Sequence, residues 1–218
     1  MKHRAHNRIT KLLDLQGKEL NTHKEMESVL MQHFQSIAEK NNVDRSQFIK
    51  SITNNIPKLV TMEDNHNHNR LVTEEEVNEV IKEMHNGKAP GPDGFNVDFF
   101  KTCWEIVKVD ILDVVEDSRK SRTVLRAINE SFIALIPKLE KSMTPERFRP
   151  IALCNVVYKI ISKVISNILK PLLPSLVSEE QTGYVEGKQI VNNIIQAHEV
   201  VHSLKTKKQA GMIIQLAI

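Results

Sequence analysis

The chain has 218 residues, of which 40% are hydrophobic and 26% charged. This length allows one large domain or two small ones, and the composition excludes collagen-like, disulfide-rich and wholly disordered proteins. No run approaches the ~18 apolar residues of a membrane span, and no apolar signal segment follows the basic N-terminus. The two cysteines, Cys103 and Cys154, are far apart, so we expect an intracellular, reducing location, nuclear or cytoplasmic, and no membrane partner.

The net charge of +3 is unevenly distributed along the chain. Residues 1–73 carry 11 Lys/Arg against 8 Asp/Glu (+3), residues 74–116 carry 4 against 11 (−7), and residues 117–218 carry 15 against 8 (+7). A basic segment of this size favours a polyanionic partner, although an uneven solvated surface would give the same totals.

The first segment contains one clear helix. Thr22 and Glu25 have the spacing of a capping box, and apolar residues then recur at helical spacing up to Ile37. The polar stretch 61–70 is the best linker in the chain, and His66 and His68 within it are interpreted as solvated loop residues. We therefore predict a boundary near residue 70, after a connector-like segment 1–70.

A second capping box, Thr73 with Glu76, predicts a helix with an apolar face from Val77 to Met84 and a left-handed Gly87 after it. The sequence NGKAPGPDGF follows. Its two Pro and three Gly are incompatible with helix or strand and predict a tight loop. Helical patterns resume in VDFFKTCWEIV and DILDVVEDSR.

From Ser131 onward the apolar pattern changes. SFIALIPK and RPIAL are short apolar runs separated by a Pro-containing turn, and they predict a β-hairpin. A helix is expected over about 155–170, ended by PLLP, and another is expected to run to about Leu204 after a third capping signal at Ser178 and Gln181. The last seven residues, MIIQLAI, predict a buried strand, either cut off in the middle of a fold or closing a sheet.

The sequence HEVVH at His198, Glu199 and His202 matches the H-E-x-x-H zinc motif of metalloproteases. A zinc hydrolase is therefore a remote alternative. The motif is short, no His, Asp, Glu or Cys follows it that could complete the ligand set, and an ordinary helix pattern already explains it. The glycine-rich stretch 183–188 has one residue too few between its glycines for a phosphate-binding P-loop.

Lys138 ends the first strand of the predicted hairpin and Arg149 begins the second. Both cations would lie at the turn end of a β-ribbon, where an ammonium and a guanidinium can bind phosphate oxygens. From spacing alone, ordinary exposed strand-end cations are the simpler interpretation.

Four blocks taken in order resemble the reverse transcriptases of LINE-type, non-LTR retrotransposons, particularly those of plants. The blocks are KAPGPDGFNVDFFKTCW, FIALIPK, RFRPIALCNVVYKIISKVISNILKPLLP and SEEQTGYVEGKQIVNNIIQAHEVV. The resemblance covers about residues 71–218, and residues 1–70 resemble more loosely the connector that precedes the polymerase of this family.

The resemblance implies a fold and several site residues. It implies an α+β, mainly α-helical chain, namely the fingers-like part of a right-hand polymerase with a β-hairpin and a C-terminal strand. Lys138 and Arg149 would bind the triphosphate of an incoming dNTP. RNA template or RNA/DNA duplex would contact two further blocks, one in the APGPDGF loop and one near residue 185. Their residues are Lys88, Gly91, Asp93, Gly94, Gln181, Gly183, Gly187 and Lys188.

One departure from the family pattern bears on activity. The family's first metal-binding strand reads L-D-[IM]-x-K-A-Y-D, whereas this chain has QLAI, so Ala217 stands at the expected catalytic Asp. The paired Asp of the Y-A-D-D motif would lie beyond Ile218. Two-metal chemistry needs carboxylates to hold Mg²⁺. We therefore expect a truncated, catalytically inactive reverse transcriptase segment without a cofactor of its own; a non-enzymatic nucleic-acid-binding module is the alternative.

Overall fold

The computed structural model describes residues 9–14, 16–39, 46–139, 142–178, 181, 185 and 187–211. By their contacts these residues form two compact units, one from residues 9–56 and 72–162 and the other from residues 57–71 and 163–211. No helix in the described ranges is both long and apolar enough to cross a bilayer. The proposed division into a connector and a polymerase portion stays a prediction.

The first unit begins with a short antiparallel pair, strands β1 (Leu12–Leu13) and β2 (Glu19–Leu20). Helix α1 (His23–Ala38) follows, and its predicted start is confirmed because the Thr22 hydroxyl accepts a hydrogen bond from the Glu25 amide at 3.4 Å. Helix α2 (Ser46–Thr53) is amphipathic, yet its apolar side chains are exposed.

The polar stretch 61–70, interpreted above as a linker, is helical in the structure. Helix α3 (Met62–Asn69) begins with a full capping box, in which Thr61 and Asp64 bond reciprocally. Two such bonds satisfy amides at the helix start, and they explain why a segment without an apolar face is helical here. His66 and His68 are accordingly helix residues and not loop residues, which corrects the sequence-based interpretation.

Four helices follow in the first unit. They are α4 (Glu74–Glu83), α5 (Val97–Thr102), α6 (Trp104–Ser121) and α7 (Arg126–Asn129). The predicted capping box of Thr73 and Glu76 is present, and the buried residues Val77, Val80 and Ile81 form the predicted apolar face of α4. Helices α4, α5 and α6 pack against one another. The predicted left-handed conformation of Gly87 is confirmed by its φ of 69°.

The predicted hairpin is confirmed as strands β3 (Ser131–Pro137) and β4 (Phe148–Cys154), which pair antiparallel from Ser131 opposite Cys154 to Pro137 opposite Phe148. A 3₁₀ turn at Pro145–Arg147 precedes β4. One face of this ribbon covers a cluster formed with the N-terminal strands and α1. Its buried members are Leu12, Leu20, Met26 and Phe148.

Helix α8 (Val156–Leu169) begins directly after β4, close to the predicted bounds, and its first half carries the buried residues Val156, Ile160 and Ile161. The α-helix ends before PLLP as expected. The chain nevertheless stays helical through a 3₁₀ turn (Lys170–Leu172) and helix α9 (Leu173–Leu176).

The last helix, α10 (Ile190–Thr206), confirms the helix predicted up to about Leu204. The predicted terminal strand falls on residues 212–218, which lie outside the described residues. The α+β, mainly helical class is confirmed: long helices and two small antiparallel strand pairs make up the described chain.

Candidate functional site

The loop at residues 86–96 joins α4 to α5 and is anchored at its start by two side chains of α5. The Asp98 carboxylate accepts a hydrogen bond from the Gly87 amide at 3.1 Å. The Lys101 ammonium donates to the Met84 carbonyl and to Asn86 Oδ1, both at 2.7 Å. A cation at carbonyls that end a helix is favourable, because these oxygens lack partners within the helix.

Inside the loop, local bonds form a tight turn. The Gly94 amide donates to the Gly91 carbonyl at 3.1 Å, and Gly94 has a φ of 77°, which favours glycine. The Asp93 carboxylate accepts from the Phe95 amide at 3.0 Å. The Phe95 ring then packs against that of Phe99, with centroids 4.5 Å apart. The Pro- and Gly-rich sequence therefore folds into a defined loop.

The middle of the loop lies directly on the end of β4. Gly91 is buried there, and a Cβ added to it would overlap Asn155 and come within 2.6 Å of the Cys154 carbonyl carbon. Asn155 is itself only 2% exposed. Its Oδ1 accepts from the Asp93 amide at 3.2 Å, while its Nδ2 donates to the Ala127 carbonyl at 2.9 Å. One buried amide thus joins the loop to α7 and to the strand.

This packing leaves one side of the loop in solvent. Lys88, Asp93, Gly94 and Phe95 are exposed. Within the described part of the chain, no carboxylate pairs with the Lys88 ammonium, so its charge is available to an anion from solution. Sequence reasoning singled out Lys88 and the glycines but missed Asn155, which the sequence offers only as one Asn after an apolar run.

The turn end of the hairpin brings Lys138 and Arg149 to one face of the ribbon. Arg149 lies opposite Ile136, and Lys138 is two residues beyond Ile136, so the side chains of all three share this face. Diagonal neighbours of this kind are about 7–8 Å apart. The Lys138 ammonium donates to the Glu146 carbonyl at 2.7 Å. Arg149 is exposed and has no ion pair among the residues that the structure describes.

The same face carries exposed apolar side chains that sequence reasoning did not single out. Phe132 is 59% exposed and Ile151 is 41% exposed, and both lie on the face of Arg149 by the register. The opposite face is covered only at its turn end, where Phe148 is buried and Leu135 packs against the same cluster, whereas Ile133 is 57% exposed beside an apolar cavity of about 650 Å³ that α1 also lines. One face of the hairpin therefore packs in part on the N-terminal cluster, and the other combines cations with apolar surface.

Glu146 stabilises the turn between the strands. Hydrogen bonds from its own amide and from Thr144 hold the pKa of its carboxyl below the usual value, and His33 and Lys138 lower it further through their charge. The His33 ring on α1 lies 3.8 Å from this carboxylate. The turn that carries Lys138 is thus held by neighbouring residues, by the His33 ring of α1 and by the Leu13 amide of β1, which donates to the Met143 carbonyl at 2.6 Å.

The second predicted block lies in the other unit. The Lys188 ammonium donates to the Ser178 carbonyl at 2.8 Å, the Gln181 amide donates to the same carbonyl at 3.1 Å, and Gly187 has a φ of 77°. Gly183 falls outside the described residues. Loop and hairpin therefore belong to one unit, whereas Gln181, Gly187 and Lys188 belong to the second.

The sequence suggested a zinc motif at His198, Glu199 and His202 and a magnesium-binding strand that ends near Ala217. His198, Glu199 and His202 are exposed on α10, and the described ranges contain no group of three or more His, Cys, Asp or Glu that could hold a metal ion. Ala217, which is not among the described residues, has a methyl side chain that offers no oxygen to Mg²⁺. The inactivity expected from Ala217 stays a prediction.

Residues 136–218 match the family described as reverse transcriptase (RNA-dependent DNA polymerase). This range includes Lys138, Arg149 and most of the hairpin. Over this range the chain is similar to reverse transcriptases, in agreement with the resemblance noted in the sequence; its plant-like character stays a prediction.

The chain is also similar to the transposon TX1 uncharacterized 149 kDa protein of Xenopus laevis, with 27% identity over 131 residues. The aligned part covers 60% of this chain and 10% of that relative. The relative's name refers to a transposon, in agreement with the retrotransposon character inferred from the sequence.

Proposed function

We propose that this chain supplies the fingers surface of a non-LTR retrotransposon reverse transcriptase, where an RNA template and an incoming dNTP are bound. The observation that carries the proposal is the open face of the hairpin, on which Arg149 and Lys138 lie beside exposed apolar side chains. Guanidinium and ammonium groups suit phosphate oxygens, and apolar side chains suit the face of a base. The reverse transcriptase match over residues 136–218 supports this assignment.

The loop at residues 86–96 is the second element of this surface. Its exposed Lys88 and the backbone around Gly94 would contact template phosphates, whereas Gly91 and Asn155 hold the loop from beneath. Gln181, Gly187 and Lys188 would contact the template or primer–template backbone from the second unit. The dNTP would be bound by Lys138, once its ammonium leaves the Glu146 carbonyl, together with Arg149.

Nucleic-acid binding is tested by fluorescence anisotropy with the 218-residue chain and a labelled single-stranded RNA. Affinity should fall steeply between ~50 and ~200 mM salt, because binding releases counterions from the phosphates. Arg149→Ala should weaken binding about fivefold at ~100 mM salt, the effect of losing one phosphate contact. Lys50→Ala on α2 removes the same charge away from the hairpin and should change affinity less than twofold. Absence of binding at ~50 mM salt would overturn the proposal.

We further propose that this chain does not itself polymerise DNA, because the methyl group of Ala217 cannot replace a metal-binding carboxylate. It would then act as a nucleic-acid-binding module with a polymerase-derived surface. Primer extension on an RNA template with Mg²⁺, run beside an active reverse transcriptase, separates binding from catalysis. We expect no product from this chain, and template-dependent synthesis would contradict the argument from Ala217.

A further inference from the structure

The buried side-chain amide of Asn155 forms hydrogen bonds to residues outside its own helix. Asn155 stands between β4 and α8, and its backbone carbonyl accepts from the Lys159 amide in the first turn of α8. Its side chain reaches outward instead: Oδ1 accepts from Asp93 in the loop, and Nδ2 donates to carbonyls of α7 at 2.9 and 3.3 Å. The partners are 27 to 62 residues away in sequence.

Gly91 makes this contact possible. The added-Cβ overlap involves the backbone of Cys154 and both the backbone and the amide oxygen of Asn155, so neither partner can move aside by a rotamer change. Loop and strand end are therefore in direct backbone contact. The position of the whole turn from Gly91 to Gly94 depends on where the Asn155 amide lies.

We propose that Asn155 is a positioning residue for the nucleic-acid contacts of the loop. Through its bond to the Asp93 amide it fixes the far end of the loop on the hairpin, while Asp98 and Lys101 fix its start, and the exposed Lys88 lies between these two anchors. This inference rests on the proposed function, since it presumes that Lys88 contacts template phosphates. It adds a residue that touches no nucleic acid and acts through Lys88.

The hairpin provides an internal control. Arg149 lies six residues before Asn155 on the same ribbon, or about 20 Å along an extended strand. Its strand pairing with Ile136 does not involve the loop. A change at Asn155 should therefore alter the effect of Lys88 and leave the effect of Arg149 as it was. A general loss of structure would alter both effects.

The test is a double-mutant cycle on the 218-residue chain, with anisotropy of a labelled single-stranded RNA at ~100 mM salt as the readout. Lys88→Ala should weaken binding about fivefold in the native background and less than twofold in Asn155→Ala. Arg149→Ala should cost about fivefold in both backgrounds. Circular dichroism melts establish that each variant is folded at the assay temperature.

A conservative variant keeps the test decisive if Asn155→Ala fails to fold. Asn155→Ser buries no charge at this position, and its hydroxyl ends one bond short of the amide atoms that bond to Asp93 and α7. Lys88→Ala should then cost less than twofold, as in Asn155→Ala. If Lys88→Ala costs the same in Asn155→Ala as in the native chain, the positioning role is overturned. If neither Lys88→Ala nor Arg149→Ala has an effect in the native chain, the proposed function fails first.

Discussion

The loop at residues 86–96 and the turn between β3 and β4 both present a lysine at the surface of the first unit, but they are held in different ways. The loop depends on distant residues: Asn155 contacts it across 62 positions of sequence, and Gly91 is buried against β4. The turn combines near and distant contacts, since Lys138 bonds to Glu146 eight residues away while the Leu13 amide of β1 donates to the Met143 carbonyl at 2.6 Å. The loop is thus fixed by distant residues, whereas the turn is fixed by near and distant residues together.

The largest expected effect is on the loop. Gly91→Ala would place a methyl group into the backbone of Cys154 and Asn155, and overpacking of this kind costs about 3 kcal/mol of the free energy of unfolding. Gly94→Ala is the matched control, because its Cβ meets no atom within 4 Å and only the φ of 77° opposes it. It should cost about 1 kcal/mol. Urea denaturation measures both values, and equal values would refute the tight contact at Gly91.

A smaller effect is expected at the anchor where the loop begins. Lys101→Met keeps the length of the side chain but removes the ammonium that three oxygens near the end of α4 accept from. The free energy of unfolding should fall by about 1 kcal/mol. Lys50→Met, on the exposed surface of α2, is the control. If both variants have the same free energy of unfolding in urea, the hydrogen bonds of Lys101 do not stabilise the fold.

The smallest effect is expected at the turn and depends on pH. Since hydrogen bonds from its own amide and from Thr144 lower the pKa of Glu146 in the folded chain, this carboxylate stabilises the fold above its unfolded pKa of about 4.5. The contribution is lost as the pH falls through the folded value. Glu146→Gln should therefore be less stable than the native chain at pH 7.

The same comparison at low pH completes this test. Below the folded pKa of Glu146 both chains carry an uncharged group at position 146, so their urea midpoints should converge. A difference that stays constant from pH 7 to pH 3 would show that charge at Glu146 does not stabilise the turn.

Much of the fold could be predicted from local sequence. Short-range patterns predicted the helix caps at Thr22 and Thr73, the apolar face of α4 and the two strands of the hairpin. They could do so because cap bonds and the alternation of apolar residues act over a few residues. The helix at 62–69 was missed for a related reason: it has a capping box but no apolar face, and periodicity carried more weight in the interpretation.

The site was only partly predictable. Arg149 and Lys138 could be placed at one end of a ribbon from spacing, but their common face required the register. The exposure of Phe132 and Ile151 depends on which face α1 covers, and this is set by packing between residues more than 100 positions apart. Asn155 could not be identified at all, because its partners come together only in the folded chain.

The apolar cluster beneath the hairpin joins residues inside the reverse transcriptase match to residues outside it. The reverse transcriptase match starts at Ile136, next to the last residue of β3, whereas Phe148 on the paired strand is buried against Leu12, Leu20 and Met26. The stretch that matches the reverse transcriptase family therefore leaves out most of β3 and the residues that cover Phe148. A gene fragment expressed from Ile136 onward would lack most of a strand and leave Phe148 without its cover, so the inherited segment depends on residues outside it.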